Sequence, residues 1–188
     1  MMPVVRINDA RFADLKAIST WLGTETPAQT IDAIVIQMME RLGLERDDEP
    51  QIASEASNGD VLRFDRPPGL AFTKPLSASV NGKAIGNPRW SAILLAAIAY
   101  LKTRGFEGEK LTRELQIPAK ARQYGDEGFK HYPDLGISIQ GQSASDAWKE
   151  IDRIAKKWRI PVTVEFQWRD NPKAQFPGRV GLLQSGRA

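Results

Sequence analysis

The sequence predicts an α+β protein in four stretches. These are a strand–helix–helix unit over residues 1–42, an acidic linker over 43–68, a basic mixed domain over 69–170 and an irregular tail over 171–188. Three observations predict it. Strand-period and helix-period segments both occur, but without the regular strand–helix–strand alternation of a doubly wound parallel sheet. Charge is unevenly spread: residues 1–42 hold four Lys/Arg against five Asp/Glu (net −1), 43–68 three against seven (−4), and 69–188 nineteen against eleven (+8). Lastly, 188 residues with 41% hydrophobic and 26% charged side chains suffice for a packed core without a metal or disulfide staple.

Composition removes several classes of function. With no cysteine, disulfide scaffolds, thiolate zinc sites and cysteine nucleophiles are excluded. The single histidine, His131, argues against a Ser-His-Asp triad or a multi-histidine metal site. No apolar run approaches the roughly 18 to 20 residues that cross a bilayer, so no membrane contact is expected. The opening MMPVVRIND lacks the basic and apolar sections of a secretion signal, which sets the expectation of a cytoplasmic protein.

Residues 4–8 alternate as a strand, with Val5 and Ile7 on one face and Val4, Arg6 and Asn8 on the other. Asn8 suits an N-cap, and Asp9 suits the positive end of a helix starting there. Phe12, Leu15, Ile18 or Ser19, and Leu22 then form one apolar stripe, which Gly23 stops. Thr26-Pro27-Ala28-Gln29 announces a second helix through a capping box with proline at the first helical position. Its apolar face is Ile31, Ile34, Val35, Met38 and Leu42, widened by Ile36 and Met39. One short strand and two helices cannot enclose that much apolar surface, so the unit is expected to pair with a second copy. Val5, Ile7, Ile31, Ile34, Val35 and Met38 are the expected dimerisation residues.

Val5-Arg6-Ile7-Asn8-Asp9, Phe12, Leu15, Gly23 and the Thr26-Pro27 helix start together resemble the ribbon-helix-helix family (MetJ/Arc type), over about 40 of the 188 residues. The resemblance implies that two strands pair antiparallel and present Val4, Arg6 and Asn8 to the major groove. It also implies that backbone N–H groups of the Thr26 to Ala28 turn clamp a phosphate. The unit is nonetheless net negative, Arg6 is the one cation on the ribbon, and Glu25 adjoins the clamp. Alone it is expected to hold DNA weakly.

Residues 43–68 (GLERDDEPQIASEASNGDVLRFDRPP) offer little apolar surface against the entropy of ordering them, and read as a linker. Val61, Leu62 and Phe64 form a short strand on the following domain. From Leu70 the order is strand, turn, strand, helix: Ser77 to Val80 alternates, Asn81-Gly82 signals a hairpin, and Lys83 to Ile85 returns. Asn87-Pro88 precedes a helix from Arg89 to Arg104, apolar around most of its circumference and therefore buried. A shorter helix spans Glu109 to Leu115. Phe129 to Tyr132 and Leu135 to Gln140 form a second hairpin. A helix capped by Ser143 or Ser145 runs to Trp158, with Ala147, Trp148, Ile151, Ile154 and Ala155 inward, and Val162 to Trp168 alternates as a strand.

Two loop clusters carry the basic residues that suit nucleic acid. Lys74, Asn81, Lys83, Asn87 and Arg89 flank the first hairpin; Lys120, Arg122 and Lys130, with Gln123 and His131, flank a Gly-rich turn. Lys149, Arg153, Lys156, Lys157 and Arg159 follow helical spacing and read as a solvated face. In plan rather than in sequence, the whole is similar to the SeqA family of replication-sequestration proteins, which implies pairing at the acidic end and DNA binding at the basic end, and transfers no site residue.

The expectation is a dimer or higher homo-oligomer that binds double-stranded DNA. It would act as a transcriptional regulator or as the DNA-recruiting subunit of a mobile-element or defence complex, with a protein partner on the C-terminal domain. No catalytic residue, metal or cofactor is expected, and no Walker or Rossmann glycine loop is present. Two alternatives stay open. One is a metal-dependent nuclease or other nucleic-acid-processing subunit, in which Asp134 and Glu165 hold the metal and Gln167 stands where a lysine is usual. The other is an assembly protein that oligomerises and never meets DNA.

Overall fold

The computed structural model describes residues 6–42, 61–64 and 66–186, apart from the side chains of residues 40–42. The chain divides into two compact units, Met1–Met39 and Glu40–Ala188.

In the first unit α1 spans Asp9–Leu22 and α2 spans Pro27–Leu42. Asn8 starts α1 as expected: its backbone is extended and its Oδ1 accepts the Arg11 N–H at 2.8 Å. Gly23 ends it in the left-handed region at φ 67, donating its N–H to the Ser19 carbonyl. The capping box closes α2 from both sides. The Gln29 N–H meets Thr26 Oγ1 at 3.2 Å, and the Glu25 and Thr26 N–H groups meet Gln29 Oε1 at 3.0 and 3.1 Å. Thr30 is fully buried, with Thr24 Oγ1 at 2.7 Å. Val4 and Val5 lie outside the described residues, and residues 6–8 pair with no strand among the described residues.

The second unit is an α+β assembly of two sheets. In chain order it comprises β1 Leu62–Arg63, β2 Thr73–Val80, β3 Lys83–Ala84, α3 Trp90–Thr103, α4 Gly108–Glu114, β4 Ala119–Lys120, β5 Phe129–Tyr132, β6 Ile137–Gln140, α5 Ala144–Trp158, β7 Val162–Trp168 and β8 Val180–Ser185. The larger sheet has the order β1-β8-β7-β2-β3, with β1 parallel to β8 and every other pair antiparallel. The smaller has the order β4-β6-β5, antiparallel throughout.

Alternation on β7 buries Val162, Val164, Phe166 and Trp168 on the face that α3 and α5 cover, and leaves Thr163, Glu165 and Gln167 on the other. Trp90 at the head of α3 binds this layer together, its ring 5.8 Å from Phe166 and 6.3 Å from Trp148 of α5. Asn81 and Gly82, at φ 52 and 76, make the tight β2–β3 turn. Ser143 caps α5, accepting the Asp146 N–H at 3.2 Å.

Three expectations are corrected here. β2 begins at Thr73 rather than Ser77, because Pro75 sits where the register with β7 shifts and its missing N–H costs no ladder bond. β4 is a two-residue strand where none was expected. Residues 171–188, expected as an irregular tail, contain β8, which lies between β7 and β1. Gly181 is what that position demands: a Cβ there would stand 2.6 Å from Phe166 Cζ and 3.0 Å from Trp168 Cζ3.

Candidate nucleic-acid interface

The register of the larger sheet divides the first expected basic cluster. Lys74 lies near the start of β2, whereas Asn81 and Lys83 lie beyond its end, about 20 Å along the strand. Arg89 lies at the same end of β2, since the indole of the adjoining Trp90 donates to Thr73 Oγ1 at 3.0 Å. It precedes α3 on the covered side of the sheet, whereas Lys74, paired with Gln167, points to the other face. Asn87 is exposed in the preceding turn, with φ 48. Asn81 and Lys83 therefore cannot share a ligand group with Lys74.

At the Lys74 end the sheet collects cations that the sequence scatters. The Arg169 N–H donates to the Phe72 carbonyl at 2.7 Å, and the Trp168 N–H to the Arg179 carbonyl at 3.0 Å. The β7–β8 connection, residues 169–179, holds Arg169, Lys173 and Arg179, all exposed, and a single acid, Asp170. Hydrogen bonds within this connection, Ala174 N–H to Asn171 O at 2.9 Å and Lys173 N–H to Asn171 Oδ1 at 2.9 Å, hold it in one shape. Phe72, at the junction, occupies the left-handed region at φ 61, a costly conformation for a bulky side chain. Lys74, Arg89, Arg169 and Arg179 thus lie at one sheet end, on both of its faces, and Lys173 is on the connection beyond it. Sequence reasoning missed Arg169, Lys173 and Arg179, because the stretch around them reads as an irregular tail; the net +2 over residues 169–179 was the available signal.

The second expected cluster lies on the smaller sheet, but register pairs Lys130 with Ile139 on the face opposite Lys120. Lys120 ends β4, Lys130 lies on β5, and Arg122 is on the loop between them. Lys120 Nζ stands 3.2 Å from the Tyr124 ring centroid and 4.5 Å from that of Phe129, and the Arg122 guanidinium 5.9 Å from Tyr124. Glu127 is 3.8 Å from Lys120 and tempers the charge.

On α5 Lys149, Lys156, Lys157 and Arg159 are exposed, as expected of a solvated face, whereas Arg153 is turned inward. Glu150 is buried and takes a two-pronged bond from Arg153 (Nε to Oε2 2.9 Å, Nη2 to Oε1 2.7 Å) and the Gln116 N–H at 3.0 Å. Arg153 also donates to the Glu114 carbonyl, and Lys157 Nζ lies 2.7 Å from Glu114 Oε1, which the Trp158 indole approaches at 3.2 Å. The bond to Glu150 holds the Arg153 guanidinium above its ordinary range. Burial alone would raise Glu114, but the bonds from Lys157 and Trp158 and the charges of Lys157 and Arg153 outweigh it and hold the carboxyl below its usual range. These cations clamp α4 to α5 instead of facing a ligand.

Two bonds bear on the expectations for the first unit. Asn8 Oδ1 is engaged as the α1 cap by the Arg11 N–H. The Thr26 N–H is held by Gln29 and Pro27 has none to give, so of the Thr26 to Ala28 turn at most Ala28 could offer an N–H to a phosphate. Arg6 is exposed, as are Ile7, Ile31, Val35 and Met38 at 37–45%; Ile34 is half-buried, and Val4 and Val5 are outside the described residues.

Asp134 and Glu165 are not brought into one site. Asp134 lies in the β5–β6 turn, its carbonyl accepting from Lys102 of α3 at 2.6 Å. Glu165 projects from the face of the larger sheet opposite α3 and accepts from Ser77 Oγ at 3.2 Å. Among the described residues no three His, Asp or Glu side chains converge as a metal site would require. No helix among them is long and apolar enough to cross a membrane. No protein-family model matches the chain, and no curated protein or solved structure shows significant similarity to it.

Proposed function

We propose that the chain is a dimeric DNA-binding protein: the first unit pairs two copies, and the basic end of the larger sheet holds duplex phosphates. The observation that carries the DNA part is the placing of Lys74, Arg89, Arg169 and Arg179 at one sheet end, next to a connection that adds Lys173 and has a net charge of +2. Cations on a rigid edge suit a phosphate backbone and carry no base readout of their own, so this surface binds duplexes of unrelated sequence. Such a protein acts as a transcriptional regulator or recruits a larger assembly to DNA.

The test is a salt titration of full-length protein on two unrelated duplexes. Five contacts correspond to a slope of about −4 to −5 in log affinity against log salt per protomer. Arg169→Gln/Lys173→Gln/Arg179→Gln should flatten it by about three. An unchanged slope in the folded triple variant overturns the assignment. A second reading, an assembly protein without DNA contact, is favoured by one observation: Trp21, a large apolar side chain, is 80% exposed on α1. Absence of duplex binding at low salt, with oligomers intact, would select it.

A further inference from the structure

We propose that the outer face of the smaller sheet binds an unpaired DNA base, stacked on Tyr124 and Phe129. The inference rests on the nucleic-acid reading above but uses a different surface.

Strand register places Lys120, Ser138 and His131 in one row across this face and Phe129 beside Gln140 in the next. The loop of residues 121–128 folds over the row. Ser138 is fully buried, and its hydroxyl donates to the Arg122 carbonyl at 2.7 Å while accepting the Tyr124 N–H at 2.9 Å. With that proton committed, His131 Nδ1, 3.2 Å away, is the donor in their contact. Gln140 Nε2 holds the Glu127 carbonyl at 2.9 Å, and the Gly141 N–H holds that of Gly128 at 3.0 Å. The loop carrying Tyr124 is therefore fixed along its length.

Tyr124 and Phe129 meet edge to face with centroids 5.4 Å apart, and neither ring is buried. Partly exposed rings contribute less to the core than buried ones, yet here a buried serine and a glutamine fix their position. A fixed aromatic pair with Lys120 and Arg122 beside it, Lys130 being turned with Ile139 to the opposite face, meets the two needs of an unpaired nucleotide, a π surface for the base and positive charge for its phosphate. Glu127 and the exposed Asp126 keep the local net charge low, so attraction to the backbone alone is weak and the rings must supply the affinity. A paired duplex offers no base face to such rings.

The experiment is fluorescence anisotropy of the full chain with a short oligothymidylate and with a blunt duplex of equal length. Tyr124→Leu should weaken single-strand binding roughly tenfold or more, Tyr124→Phe should retain it, and duplex affinity should not move. A 5-iododeoxyuridine oligonucleotide should photocrosslink to Tyr124 or Phe129. Unchanged single-strand affinity in a folded Tyr124→Leu/Phe129→Leu variant, or crosslinks mapping elsewhere, overturns the proposal. If a variant melts early, the wild-type crosslink decides. Ring-dependent single-strand binding without duplex binding would sink the duplex reading and leave this one standing. Duplex binding without any ring dependence would do the reverse.

Discussion

The two units of this chain differ in what they do with apolar side chains. In the second, α3, α5 and β7 hide Trp90, Trp148, Phe166 and Trp168 almost completely, and Leu76 and Val61 are its large hydrophobics left exposed among the described residues. In the first, Leu15 is the one buried hydrophobic among the described residues, while Ile7, Phe12, Ile18, Trp21, Ile31, Val35, Ile36 and Met38 stand 37–80% exposed. Local signals are not weaker there. Asn8, Gly23 and the Thr26–Gln29 box satisfy the helix ends as fully as Ser143 does for α5. Caps decide where helices begin and end; they do not supply a core. What the first unit lacks is a second surface to cover Ile31, Val35 and Met38, which recur at steps of four and three along α2.

That contrast can be broken from either side. The largest effect is expected in the second unit: at Gly186, φ 71, a Cβ would collide with the Ile160 and Ala155 carbonyls. Gly186→Ala should cost about 4 kcal/mol and lower a melting temperature that does not depend on protein concentration. Val35→Asp comes next. In a single chain an exposed position tolerates it, but in a paired face it buries an unmatched charge, so association should weaken by about 3 kcal/mol, over a hundredfold. Equal dimerisation of Val35→Asp in sedimentation would remove α2 from the interface.

The clamp between α4 and α5 sharpens the comparison through pH. Glu114 has a lowered folded value, so its contribution is present at neutral pH and is lost as pH falls through that value. Glu114→Gln should remove about 2 kcal/mol at pH 7 and flatten the acid limb of the second unit's melting curve. An unaltered acid limb would show that the clamp does not couple to folding. Thr26→Ala is the smallest change, about 1 kcal/mol, and should appear in the first unit's transition alone.

Elements with one clean period were readable from the sequence: β7 over Val162–Trp168, α5 from Ser143, and the Asn81-Gly82 hairpin all follow from local pattern and turn chemistry. β8 was not, because Gly181 is dictated by the rings of Phe166 and Trp168, residues distant in sequence. Losing β8 also hid the basic sheet end, since Arg169 and Arg179 are placed by β7–β8 pairing. Lys120 and Arg122 were legible together because they are near neighbours at one end of a loop; that Lys130 faces the other way was not, since its pairing with Ile139 sets it. The Glu150–Arg153 pair is local, three residues apart on α5, but the link from Arg153 to Glu114, 39 residues away, was not readable.

The central claim, that the first forty residues are incomplete as a single copy, is tested most directly by sedimentation velocity of the full chain at micromolar concentration. We expect a species of twice the chain mass, in which hydrogen exchange protects α2 around Ile31, Val35 and Met38. A monodisperse single chain, with α2 equally protected and Trp21 fluorescence unchanged on dilution, would contradict it.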